Sequence, residues 1–143
     1  MTVQDRERQL RVVAEILLIH LPGLLKSDPP LARDLLAVAG TALHDIHNDA
    51  ERSRKAWDKR TYHVRADELE REWAWALGAA NYATGLALRP QPPTLTDLEK
   101  LRTLIGPEIQ KPARRQIKEP ARFRGAAQAV KIQQANKKRP VRG

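Results

Sequence analysis

Between Ala74 and Leu88 the chain carries no charged residue. Read as a helix, Trp73, Leu77 and Ala80 mark one side, while Trp75, Tyr82 and Leu86 mark a nearly opposite side. A helix that is apolar all round has to be covered from several directions. Two arrangements meet that demand: the segment is the central helix of a core, or one of its sides is an interface for a partner or a second copy. Ala74, Gly78, Asn81 and Gly85 add a narrow row of small residues where another backbone can come close. The stretch falls short of the roughly 20 apolar residues of a membrane span, and Gly and Asn weaken it further.

The rest of the first hundred residues also repeats at helical spacing. Val3, Leu10, Val13, Leu17 and Leu21 make a stripe that predicts a first helix over 2–21, widened by Val12, Ile16 and Ile19. Pro22-Gly23 is expected to end it. Asp28 followed by Pro29-Pro30 is a start signal, and Leu31, Leu35, Val38, Ala42 and Ile46 continue as one face. The break before the third helix, drawn over 62–88, is placed at 60–63, where helix propensity dips; 47–49 is the alternative. Arg89-Pro-Gln-Pro-Pro reads as a stiff connector. Thr96 with Glu99 fits a capping box for a short helix carrying Leu98, Leu101, Leu104 and Ile105, stopped by Gly106-Pro107. Strand-like alternation is missing. The expected class is all-α: an antiparallel bundle of three long helices plus one short helix over 1–106.

Charge divides the chain differently. Residues 1–110 hold 15 basic and 16 acidic side chains, whereas 111–143 hold 11 basic side chains and a single acid, Glu119. Pro112, Pro120 and Pro140 punctuate this second part, and its apolar content is thin. It is expected to be a basic, partly disordered arm over 107–143, with any helix over 120–138 (Phe123, Ala127 and Val130 on one side) ordering mainly against something else. The N-terminal residues carry acids, and Arg11, Glu15 and His20 interrupt the apolar stretch that follows. Neither feature suits a secretory or transit segment, so the expected location is cytoplasmic.

The chemistry available to such a chain is narrow. Cysteine is absent, and only two serines occur, so thiolate catalysis, disulfides and thiolate metal sites are excluded and hydroxyl nucleophiles are scarce. No phosphate-cradling glycine loop is present. His44, Asp45, His47 and Asp49 crowd one turn and offer metal donors, but a structural zinc site needs more ligands than a His-x-x-His pair supplies. Asp67, Glu68, Glu70 and Glu72 alternate with Arg65 and Arg71, as on a solvated helix face. No catalytic residue, metal or cofactor is expected, and the chain is read as a non-enzyme.

A polyanion remains as the partner the charge favours. Lys111, Arg114, Arg115, Lys118, Arg122, Arg124, Lys131, Lys137, Lys138, Arg139 and Arg142 are the candidate phosphate contacts in the arm. Arginine is abundant among them, and its planar fork suits phosphate oxygens. Lys55, Lys59 and Arg60 make a second basic group. With Arg52, Arg54 and Arg65 they surround Trp57 and Tyr62, aromatics that can stack on exposed bases; for Trp57 the alternative is a core residue at the end of the second helix. With Phe123 as its one aromatic, the arm anchors and does not read sequence. The expected function is nucleic-acid binding, RNA more than DNA, as a component of a ribonucleoprotein assembly. In size, helicity and basicity the chain resembles small helical subunits of such assemblies, ribosomal proteins or the small subunits of CRISPR effector complexes. That likeness is one of general character and carries over no residue. The alternative is a protein-interaction or assembly factor that docks through Trp75, Tyr82 and Leu86 on the third helix.

Overall fold

The computed structural model describes residues 3–109, 111–112 and 114–138, and every regular element among them is helical. Helix α1 (Val3–Glu15) passes through a π-helical turn (Ile16–His20) into α2 (Leu21–Ser27), so the chain does not stop at Pro22-Gly23 as expected. A proline inside a helix lacks an N–H and its ring collides with the carbonyl four residues back. The π turn removes that conflict. The Leu21 N–H bonds to the Ile16 carbonyl, five residues back, which opens the ladder just ahead of the ring. The helix ends instead at Ser27.

Helix α3 (Pro29–Lys59) starts as its sequence directs. Asp28 accepts the Leu31 N–H at 3.2 Å, and the two prolines occupy the first turn, where no donor is needed. It runs unbroken through 47–49 and ends where propensity falls. Thr61 takes a left-handed φ of 63°, and the Tyr62 N–H returns to the Trp57 carbonyl at 2.9 Å. The third helix of the sequence reading is two helices, α4 (His63–Trp73) and α5 (Trp75–Leu88), joined at Ala74, whose backbone stays in the helical region.

The central helix is α3, not the uncharged 74–88 segment. Leu35, Leu36, Ala39, Leu43 and Ile46 are fully enclosed, and α1, α2, α4 and α5 all pack on α3. Helix α5 packs on it, and Ala76, Ala79, Ala80, Ala83 and Ala87 of α5 are all buried. Gly40 faces α5 directly: a Cβ there would overlap the Thr84 hydroxyl and come within 3.1 Å of the Thr84 nitrogen. The row Ala74, Gly78, Asn81 and Gly85 turns outward and is exposed throughout. Both faces of α5 are narrow, but the alanine face has methyl groups to remove from water and the glycine–asparagine face has almost none.

Helix α6 (Leu95–Ile105) is capped two residues earlier than its sequence suggests. Thr94 accepts the Asp97 N–H at 3.2 Å, and Asp97 accepts the Thr94 N–H at 2.9 Å. Asp97 also pairs with Arg89 across the connector, a contact Glu99 does not make. Arg33 donates to the carbonyls of Arg89 and Pro90 at 2.6 and 2.7 Å, which fastens the connector to α3. Beyond α6 come short 3-10 turns at Gly106–Glu108 and Pro120–Phe123, then α7 (Ala126–Lys138). Helix α7 lies against α3 and α5, with Phe123, Ala126, Ala127 and Val130 partly buried.

Candidate nucleic-acid interface

Three acids of the body hold the basic segment in place, and two of them do so through its backbone. Glu15, at the end of α1, is fully buried. Its carboxylate accepts the N–H groups of Gln116 and Ile117, the latter at 2.9 Å, and sits 2.8 Å from His20 Nε2. Burial pushes this carboxyl up, but the contacts with His20, Gln116 and Ile117 together outweigh it and hold it below the ordinary value. Ile117 beside it is 3% exposed and joins the core. Asp34, on the first turns of α3, accepts the N–H groups of Gly125 and Ala127 at 3.0 Å each and so caps the start of α7. Asp28 accepts from the Arg124 guanidinium at 2.7 Å, and that bond is the main reason its carboxyl lies below the ordinary value.

These anchors leave the charges themselves outward. Lys111, Arg114, Arg115, Lys118, Arg122, Arg124, Lys131 and Lys137 are all exposed. Among the described residues, Arg124 alone of this set pairs with a carboxylate. Arg122 lies over the Phe123 ring, 5.0 Å from its centroid. The side chain of Lys138, and Arg139 and Arg142 entirely, lie outside the described residues.

The second basic group is thinned by its own neighbours. Arg52 lies 3.6 Å from Asp49, Arg54 bonds Glu51 and Asp58, and Arg65 lies 3.6 Å from Glu68. Lys55, Lys59 and Arg60 stay exposed without a carboxylate partner among the described residues. Trp57 is not a free platform: it packs on the core and meets Tyr62 edge to face at 5.5 Å. Helix α7 runs beside α3 in the same direction, from Asp34 at its start to a groove shared by Asn48 and Lys137 near its end. Asn48, Lys55 and Lys59 recur at seven and eleven residues, so they share one face of α3. The two lysines stand about 10 and 16 Å beyond Asn48.

The aromatic face proposed for a partner is mostly used internally. Leu86 is 2% exposed and belongs to the core, so it has no surface to offer. Tyr82 is half-buried, with its hydroxyl 3.4 Å from Asp97 and Lys100 over its ring. Trp75, also half-buried, donates to the Glu72 carbonyl at 3.0 Å and leans on Trp73.

The His–Asp group is divided between two sides of α3. Asp49 is buried and pairs with Arg6, whose guanidinium also lies over Trp73, joining α1, α3 and α4. His44 and Asp45 turn instead toward α7. Among the described residues, no three His, Asp or Glu side chains stand close enough to hold a metal ion, and no helix is long and apolar enough to cross a membrane. No family model matches the chain, and neither does a curated protein or a solved structure.

Sequence reasoning missed Glu15, Asp34 and Arg6 as organising residues. A signal existed. Glu15 interrupts the apolar run from Val12 to Leu17, and Arg33 and Asp34 interrupt that from Leu31 to Leu36. An acid on a buried helix face demands a donor.

Proposed function

We propose that this chain is a non-enzymatic, cytoplasmic nucleic-acid-binding subunit, directed to RNA within a ribonucleoprotein assembly. Its helices serve as an antiparallel bundle and its basic segment as the arm that grips phosphate. One observation carries the proposal. The basic segment is tied to the body by Glu15 and Asp34 through backbone N–H groups, while nearly all of its described cations stay exposed and unpaired. A segment that served only the protein's own stability would direct those carboxylates to its cations. Fixing the backbone instead holds the charges in place before any ligand arrives, which lowers the ordering cost of binding. The row from Lys137 on to Lys55 and Lys59 adds to the same array.

Removing the segment would uncover Ile117 and the surface under α7, so the test is charge removal at exposed sites. Arg114→Gln, Arg115→Gln, Lys118→Gln and Lys131→Gln in one chain should keep the helical circular dichroism spectrum. Affinity for a single-stranded RNA at low salt should fall by at least tenfold, in line with the loss of several phosphate contacts. Unchanged affinity in the folded variant overturns the proposal.

A further inference from the structure

The groove between α3, α5 and α7, about 450 Å³ in volume, lies within the size range of sites that take small ligands. Its walls carry an imidazole, amides and two charged groups: His44, Asp45 and Asn48 from α3, Asn81 from α5, and Gln134 and Lys137 from α7. None of these side chains makes a hydrogen bond or ion pair to another described residue, so donors and acceptors converge there unspent. His44 is half-buried, and burial first, then His47 and Lys137, hold its ring below the ordinary value. A neutral imidazole offers one donor and one acceptor. Asparagine and glutamine amides likewise offer both. Asp45 offers only acceptors, which suits exocyclic amines. That inventory matches the edge of an unpaired base, and Lys137 stands at the groove in position for a backbone phosphate. From there the path continues to Lys55 and Lys59 on the Asn48 face of α3.

We propose that this groove receives one base of single-stranded RNA, with the adjoining phosphates running along Lys137, Lys55 and Lys59. The inference rests on the nucleic-acid reading above and adds a base-contacting subsite beside α7, in a segment whose sequence suggests an anchor alone.

The test uses fluorescence anisotropy with the full chain and two labelled ten-residue probes: an RNA of mixed sequence and an abasic ribose–phosphate oligomer of the same charge. The wild-type chain should bind the RNA about tenfold or more tighter than the abasic probe, the margin of a good base contact. Asn81→Ala and Gln134→Ala, at exposed and unpaired positions, should erase most of that margin, leave affinity for the abasic probe unchanged and melt as the wild type does. Equal binding of both probes by the wild-type chain overturns the subsite while the charge-based function stands. A margin that survives both substitutions likewise overturns it. Binding of neither probe overturns the function and the subsite together.

Discussion

The carboxylate of Glu15 accepts the N–H of Ile117 at 2.9 Å, across 102 positions of sequence. This bond joins the end of the first helix to the basic segment. Together with the carboxylate's bond to the Gln116 N–H, it satisfies two adjacent backbone donors where Ile117 enters the interior. Glu15→Ala should therefore destabilise the fold by about 2–4 kcal/mol, the cost of leaving such donors unpaired around a small cavity. Hydrogen exchange checks the location of the effect: the amides of Gln116 and Ile117 should lose protection before those of α3.

The same carboxylate gives the chain an acid sensitivity. Its folded-state value lies below the ordinary 4.5. Its contribution is therefore complete above pH 4.5 and is lost as pH falls through the folded-state value. Asp28, lowered from an ordinary 3.8 chiefly by Arg124, adds to the same trend. An acid titration followed by hydrogen exchange should show the segment around Ile117 opening in this range, and Glu15→Gln should flatten that response. A segment equally protected at pH 3 and pH 7 would contradict it.

Asp34 should control α7. Among the described residues it alone supplies side-chain acceptors to the Gly125 and Ala127 N–H groups at the head of that helix. Asp34→Ala should cost about 1–2 kcal/mol, as the loss of a helix cap does. Far-ultraviolet circular dichroism should report lost helix, and exchange should place the loss within Ala126–Lys138.

Gly40 should tolerate no side chain. A Cβ there meets the Thr84 hydroxyl and backbone, so Gly40→Ala should destabilise by about 1–3 kcal/mol, the usual cost of overpacking a tight helix crossing. Thr84→Ala in the same chain should recover part of that loss by removing the hydroxyl. Denaturant melts of the two single variants and the double variant measure the coupling.

How far the fold was legible follows from which contacts are local. Asp28-Pro29-Pro30 and the stripe from Leu31 to Ile46 act within a few residues, and α3 begins and buries its face as they direct. Thr94–Asp97 and Thr96–Glu99 share one spacing, and what separates them is Arg89, which reaches Asp97 from outside the helix. Pro22 failed as a stop because a π turn ahead of it made room, a feature residue propensities do not encode. The exposed cations of the basic segment could be named in advance. That Glu15 and Asp34 would hold their backbone could not, since each bond spans more than ninety positions. Leu86 misled for a related reason: an apolar residue on a helix apolar all round gives no sign of which side its own chain covers.

Contact between the outward cations of the segment and phosphates would make binding strongly salt-dependent. Affinity for a single-stranded RNA measured from low to moderate salt should fall on a log–log slope of about −3.5 to −5.5, as expected when about five to eight phosphates of a single strand are neutralised. A slope near zero, or no binding at any salt concentration, would rule out phosphate contact by these cations.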